Sequence, residues 1–160
     1  MAVDIAQAIH QLPLAVFLRT NPLAYPLVES LHLVSIALLF GSVAVVDLRI
    51  LGLTRNLSLR QLARHALPWT MLAFLFAAAT GSLLFVAHAA DLVGNRLFIA
   101  KLLLLSLAGA NAVMFHTGPY VNVSSWDVGM RAPASARAMA FASIIIWVGV
   151  IFCGRWIAYA

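Results

Sequence analysis

The chain has 160 residues, of which 64% are apolar and only 9% are charged. A soluble domain carries roughly 25% charged and about 45–50% apolar residues, so a water-soluble fold would have to expose much of this apolar surface. The net charge of +5 is spread between apolar segments and forms no single basic face, which argues against nucleic acid as a partner.

The first residues predict a short helix at a membrane surface. Residues 3–19 mix apolar and polar side chains at helical spacing. Pro13 interrupts this pattern, and the segment is too short to cross a bilayer. Asn21-Pro22 then marks a turn. We therefore expect a short N-terminal interfacial helix ahead of the first span.

Four long apolar segments follow, each with the roughly 20 residues that cross a hydrocarbon core of about 30 Å. Pro68 is expected in the first turn of the second segment, where its missing amide costs little. In the same segment Ala73, Ala77 and Gly81 form a small-residue stripe that permits close helix packing. The sequence predicts an all-α, membrane-embedded four-helix bundle in contact with lipid. It forms one transmembrane domain over 1–160, with spans at about 25–46, 66–87, 97–115 and 136–157.

The distribution of basic residues predicts the orientation. The first and third loop regions carry Arg49, Arg55, Arg60, Arg64, Arg131 and Arg137. The opposite side carries Arg19, Arg96, Lys101 and Arg155, which are partly offset by acidic residues. Because basic loops stay in the cytoplasm, we expect loops one and three inside and both termini outside.

Ionisable side chains within the spans are costly and point to function by default. Placed by helical rise, the polar residues fall into two clusters near the two membrane faces. The outer cluster is Glu29, His32, His88 and Lys101, and the inner cluster is Asp47, Arg49, His65, Asn111 and His116.

Histidines at both faces predict a b-type haem, bound non-covalently because the chain has no CxxCH motif. By depth, the possible axial pairs are His32 with His88 and His65 with His116. His32 and His116 lie deepest in apolar sequence and are the favoured iron ligands, but they are too far apart to share one iron. Lys101 and the arginines would then pair with the haem propionates.

The same residues also have structural interpretations. His65 and His88 lie at span ends, where histidine is commonly an interfacial polar residue, and His32 fits a simple interhelical hydrogen bond. Glu29 with Lys101 fits a structural ion pair.

Asp47 with Arg49 fits an interfacial anchor. A copper or zinc site is disfavoured because no close set of ligands is present, and the motifs of soluble enzymes are absent.

Short motifs recur along nearly the whole chain: Glu29-Ser30-Leu31-His32, Asp47-Leu48-Arg49-Ile50-Leu51-Gly52, Leu67-Pro68-Trp69-Thr70, Asn111-Ala112 with Phe115-His116, Trp126-Asp127, and Gly154-Arg155-Trp156-Ile157-Ala158-Tyr159. Their order resembles a bacterial family of small four-helix integral membrane proteins of unknown function. The resemblance implies four spans in a bacterial inner membrane. It also directs attention to Glu29, His32, Asp47, Arg49, Lys101, Asn111, His116, Arg155 and Trp156.

The chain is more loosely similar to transmembrane b-type cytochromes and to copper-resistance inner-membrane proteins. Those families usually place their histidine pairs at matched depths on facing helices. Together with the histidines, this favours a cytochrome-b-like electron carrier or membrane anchor of a redox complex. Its cofactor would be haem b, and its partner a quinone or a periplasmic electron donor.

Two other functions stay open. One is a cofactor-free accessory subunit that packs against other membrane subunits, which the small-residue stripe and the lack of an enzyme motif favour. The other is transport of a small ion through Glu29, His32 and Lys101. As a cytochrome-b-like protein or as an accessory subunit, the chain would be a non-catalytic subunit or an electron carrier.

Overall fold

The computed structural model describes residues 2–159, which are helical apart from short connections and contain no β-strand. The α-helices are α1 Ala2–His10, α2 Pro13–Thr20, α3 Ala24–Leu51, α4 Leu59–Ala87, α5 Ala89–Leu92, α6 Arg96–Thr117 and α7 Ala134–Trp156. Two 3₁₀ segments, Pro119–Ser125 and Ile157–Tyr159, complete the described elements.

Helices α3, α4, α6 and α7 are long and apolar enough to cross a bilayer, with mean hydropathies from 1.9 to 2.1. Large apolar side chains such as Leu33, Phe76 and Leu103 are exposed on their outer surfaces, where lipid is the suitable solvent. The predicted all-α fold with four spanning helices is therefore confirmed, and the chain is a multi-pass membrane protein.

The four long helices do not all pack against one another. Helix α3 lies against α4 on one side and α7 on the other, and α6 packs along α7. In the described part of the chain, α4 and α6 stay apart over most of their length. The bundle therefore runs α4–α3–α7–α6. A gap separates its first and last members, except near the outer ends of the two helices, where Phe85 of α4 stacks on Phe98 of α6 with ring centroids 5.5 Å apart.

Small side chains make the α3–α4 contact close. Ala73 and Ala77 of α4 are 2% and 9% exposed. Gly81 lies so near α3 that a Cβ at this position would be 3.0 Å from Cε1 of His32. The predicted stripe is thus used inside the chain, between two of its own helices.

We call the end of the bundle that carries residues 52–58 and 118–133 the inner end. Helix α3 stops there at Gly52, whose φ of 118° is left-handed, and the amide of Leu53 donates to the carbonyl of Leu48 at 3.0 Å. This is a glycine C-cap, which ends a helix at low conformational cost. The described hydrophobic core also lies at this end; it consists of Ile50, Leu59, Phe115, Val123, Trp126, Ala132, Ala136 and Ala140.

Helix α4 begins earlier than its apolar sequence indicates. It starts at Leu59, so that Pro68 lies inside the helix. The expectation of Pro68 in a first turn is therefore wrong. The polar segment 59–65 is helical because its first amides are capped by side chains, which hydropathy does not detect.

We call the opposite end, formed by residues 2–23 and 88–95, the outer end. The N-terminal helix is split into α1 and α2, and Pro13 occupies the first turn of α2. Arg19 of α2 donates to the carbonyls of Ala87 at 2.8 Å and His10 at 2.7 Å. A cation at two helix C-termini satisfies carbonyls that have no helical partner, and it holds α2 against α4.

Candidate functional site

The inner end is organised by Arg49, whose side chain is only 1% exposed. Its guanidinium donates to the backbone carbonyls of Leu57 at 2.7 Å, Arg55 at 3.0 Å, and Asp127. One side chain from α3 therefore joins the α3–α4 connection to the α6–α7 connection. Gly129 adds a backbone bond between these loops, because its amide donates to the Arg55 carbonyl at 2.9 Å.

Asp127 completes this junction by capping α4 from a distant part of the chain. Its carboxylate accepts from the Arg60 amide at 2.9 Å and from the Ser58 hydroxyl at 2.8 Å. Although partial burial by itself would raise the pKa of Asp127, these hydrogen bonds and the charge of Arg49 outweigh it and lower the pKa below its ordinary value.

A cavity of about 370 Å³ lies just above this junction, between α3, α4, α6 and α7. Its walls are mostly apolar, and they include the aromatic side chains of Phe74, Phe115, Tyr120 and Trp147. The cavity occupies the gap between α4 and α6, and side chains from both helices line it.

The polar residues of this cavity include Asp47 and Asn111. Asp47 is 7% exposed, and its carboxyl group interacts with the hydroxyl of Ser143. Among residues 2–159, its Oδ2 atom has no hydrogen-bond partner. Asn111 donates from Nδ2 to the Met139 carbonyl at 3.1 Å, which fixes its amide group across the α6–α7 contact.

His65 and His116 lie at the inner ends of α4 and α6, on the two sides of the gap. Nδ1 of His65 is 2.9 Å from the Gln61 carbonyl, and Nδ1 of His116 is 2.8 Å from the Ala112 carbonyl. A carbonyl only accepts, so each Nδ1 carries the proton and each Nε2 is left with its lone pair. The described residues supply no other hydrogen bond to either ring.

Tyr120 connects the surroundings of these two histidines. Its ring centroid is 5.2 Å from that of His116, and it also lines a groove of about 740 Å³ that contains His65. Arg60 and Arg64 border the same groove. The groove therefore combines imidazole, phenol and guanidinium groups at the inner end of the α4–α6 gap.

Towards the outer end of the bundle, His32 of α3 forms a hydrogen bond with α4. Its Nδ1 lies 2.9 Å from Oγ1 of Thr80. Thr80 donates its own hydrogen to the Phe76 carbonyl at 2.6 Å, so His32 is the donor in the contact with Thr80. Lys101 of α6 lies within electrostatic range of His32, and its side chain packs against Gly154 of α7.

His88 does not join His32. Its ring lies 5.3 Å from the ring of Tyr25, which precedes His32 by about two helical turns, and its Nδ1 is 3.6 Å from the Asp91 carboxylate. Glu29 is exposed on α3. In the described part of the chain no ion pair within 4 Å links Glu29 to Lys101.

Arg155 lies apart from both clusters. Its guanidinium donates to the Tyr159 hydroxyl at 2.8 Å and lies 5.1 Å from the centroid of that ring. Trp156 stacks on Phe152. These contacts suit an interfacial belt at the end of α7.

The structure thus divides the predicted inner cluster. Asp47, Asn111 and His116 share the cavity, His65 lies in the adjoining groove, and Arg49 points to the loops. No group of three or more His, Cys, Asp or Glu side chains in residues 2–159 could hold a metal ion.

Sequence reasoning missed several residues of these sites. Asp127 and Thr80 were noted only as parts of motifs, and Ser58, Tyr120 and Ser143 were not singled out. One local signal was present: Ser58 and Gln61 have the spacing of a capping box, and the Gln61 amide donates to Ser58 at 3.2 Å. The partners of Thr80 and Ser143 are contributed by other helices and have no local signature.

Comparison with known proteins identifies the family. Residues 19–160 match the model of a family of unknown function (DUF6644), so the chain belongs to that family. No curated protein matches the chain significantly. No solved structure matches it significantly either.

Proposed function

We propose that this member of a family of unknown function is a cytochrome-b-like membrane subunit that binds haem b at its inner end, between α4 and α6. His65 and His116 would supply the axial nitrogens. Arg60 and Arg64 would pair with the propionates. Haem supplies one-electron transfer when it is bound, and the chain would act as an electron carrier or as the anchor of a redox complex.

The observation that carries the proposal is the hydrogen bonding of the His65 and His116 imidazoles. Both donate Nδ1–H to a carbonyl of their own helix and leave Nε2 with its lone pair. This is the arrangement in which a histidine is oriented by one ring nitrogen and binds iron with the other. The two histidines are on different helices at the same end of the bundle, as axial ligands of one haem must be.

The outer histidines fit a haem less well. His32 already donates to Thr80 and its ring is pressed against Gly81, and His88 lies about two turns further out beside Tyr25. The outer end therefore offers no pair of histidines at the same depth to ligate one haem iron.

We also propose that the inner end faces the cytoplasm of a bacterial inner membrane and that both termini are periplasmic. Arg49, Arg55, Arg60 and Arg64 support this orientation, because they lie in or beside the α3–α4 connection at the inner end. A haem at that end favours a quinone or another membrane subunit as electron partner. A periplasmic donor would lie a full bilayer away.

A reduced-minus-oxidised visible spectrum of the purified full chain, after haem supplementation, tests the proposal. We expect a b-type spectrum and a pyridine-haemochrome signal for the wild type. His65→Ala and His116→Ala should each lose at least half of the bound haem. Both side chains are exposed, so the variants should fold, which circular dichroism checks.

His32→Ala and His88→Ala are the matched controls and should keep the wild-type spectrum. The proposal is overturned if the wild type gives no haem signal, or if the signal depends on His32 and His88 but not on the inner pair. A chain without haem would leave the cofactor-free accessory subunit as the better function. The small-residue stripe no longer favours that function, because α3 already covers it.

A further inference from the structure

The cavity between the four long helices has an acidic group that the protein leaves without a partner. Asp47 is 93% buried, since only 7% of its surface is exposed, and its Oδ2 atom lacks a hydrogen bond within residues 2–159. An unsatisfied buried carboxylate oxygen costs free energy in a low-dielectric interior. A molecule in the cavity that donates to Oδ2 would remove this cost.

The other polar groups of the cavity also present acceptors. Thr70 donates its hydroxyl hydrogen to the Ala66 carbonyl or to Ser42, and Ser42 donates to the Leu39 carbonyl. Asn111 donates one of its two Nδ2 hydrogens to the Met139 carbonyl, and its Oδ1 atom is an acceptor. Oxygen lone pairs of these three groups therefore remain available to a ligand.

The charge of the cavity lining also favours a cationic ligand. It includes the carboxyl group of Asp47, whereas no Lys or Arg side chain is among the described residues that line it. Phe74, Phe115, Tyr120 and Trp147 form aromatic walls, and the faces of such rings attract cations. An acid, several acceptors and aromatic faces are the features that bind an ammonium group.

We infer that this cavity is a binding site for a small lipophilic amine in its protonated form. The ammonium group pairs with Asp47 Oδ2, and the apolar part occupies the space between α4 and α6. A volume of about 370 Å³ suits a compact molecule. The occupant is a free amine and not a phospholipid headgroup, because the described lining offers no Lys or Arg for a lipid phosphate. His116 lines this cavity and is also a proposed haem ligand, so amine binding is measured on the chain without added haem.

Titration calorimetry on the full chain in phosphatidylcholine nanodiscs tests the inference, with 4-phenylbutylamine as the probe. The neutral analogue 4-phenylbutan-1-ol reports binding without the charge. We expect the amine to bind at least tenfold more tightly than the alcohol. Asp47→Asn should abolish this difference, whereas Glu29→Gln, which removes an exposed acid, should preserve it. Equal affinities for amine and alcohol in the wild type would overturn the inference.

A second variant tests the cavity itself, and it keeps the inference open to refutation if Asp47→Asn does not fold. A Cβ at Gly109 meets no atom within 4 Å, and Gly109 lines the cavity. Gly109→Leu should therefore fill the space and weaken amine binding at least tenfold. Gly41 has equally open surroundings but does not line the cavity, so Gly41→Leu is the matched control and should bind normally. Unchanged binding by Gly109→Leu would contradict the assignment.

The lipid composition distinguishes the two sources of an ammonium group. Amine affinity should be the same when phosphatidylethanolamine replaces half of the phosphatidylcholine. A tenfold loss would show that the lipid headgroup occupies the cavity and would overturn the assignment to a free amine. The haem spectrum of Asp47→Asn should equal that of the wild type, so the failure of one proposal is distinguishable from the failure of the other.

Discussion

Arg49 is the residue on which the inner end depends most. A buried guanidinium is costly unless its hydrogens are satisfied, and here they are used on carbonyls from two separate connections. The planar shape of arginine allows several donors to point in different directions, which a lysine does not provide. Arg49 therefore acts as the central link between the α3–α4 loop and the segment after α6.

We predict that Arg49→Met destabilises the chain by about 3 kcal/mol, because buried carbonyls lose their donors at a cost of roughly 1–3 kcal/mol each. Arg49→Lys should lie between this variant and the wild type. Reversible denaturant unfolding in micelles, followed by helical circular dichroism, measures the effect. Arg131→Met removes an exposed arginine from the same end and should change stability by less than about 0.5 kcal/mol. Equal stability of Arg49→Met and the wild type would contradict the role of Arg49.

Asp47 shows what the sequence could and could not predict at this scale. Counting residues from the end of the span predicts that Asp47 lies near the same membrane face as Arg49. Depth does not give direction, however, and two residues along a helix turn by about 200°. Asp47 therefore faces the cavity between the helices, while Arg49 faces the loops. The interpretation of Asp47 and Arg49 as one interfacial anchor therefore does not describe their separate contacts, which are with the cavity and with the loops.

At the scale of helices, the small-residue face of α4 was readable from the sequence, but its partner α3 and the start of α4 were not. Ala73, Ala77 and Gly81 recur every four residues, so their shared face follows from helical geometry alone. The start of α4 depends on Asp127, which lies 67 residues after Arg60 along the chain. A cap supplied from so far away has no local signal, which is why the apolar segment alone gave too short a helix.

The pairing of the histidines was likewise only partly predictable. Depth alone allowed His32 with His88 as well as His65 with His116. The outer pair is separated because His32 packs at the level of Thr80, while His88 follows the end of α4 beside Tyr25. Only the three-dimensional packing of α3 on α4 sets that offset.

We predict that Gly81→Leu destabilises the chain by about 1–3 kcal/mol, because the added side chain must enter space already filled by the His32 ring. Gly41→Leu should be neutral or slightly stabilising, since leucine has the higher helix propensity and Gly41 has no atom near an added Cβ. Thermal unfolding of both variants in the same detergent measures the difference. A Gly81→Leu variant as stable as Gly41→Leu would contradict the proposed close contact of α3 and α4.

At the scale of the whole molecule, the two ends of the bundle are built differently. The outer end is closed by α1, α2 and α5, with Arg19 holding α2 to the end of α4. The inner end holds the core, the Arg49 junction and the groove with His65, and the cavity opens just above it. The gap between α4 and α6, next to the hydrogen-bonded inner end, is the feature on which both proposed sites depend.

In this account the inner and outer ends face opposite sides of a bilayer. The most direct measurement is labelling with a membrane-impermeant maleimide in intact bacterial cells, on a Cys153→Ser background that removes the chain's own cysteine. Ser124→Cys reports the inner end and Ala90→Cys the outer end, both at exposed positions. We predict that Ala90→Cys is labelled in intact cells and Ser124→Cys only after permeabilisation. Labelling of both from outside would contradict the four-span arrangement, and labelling of Ser124→Cys alone would reverse the orientation.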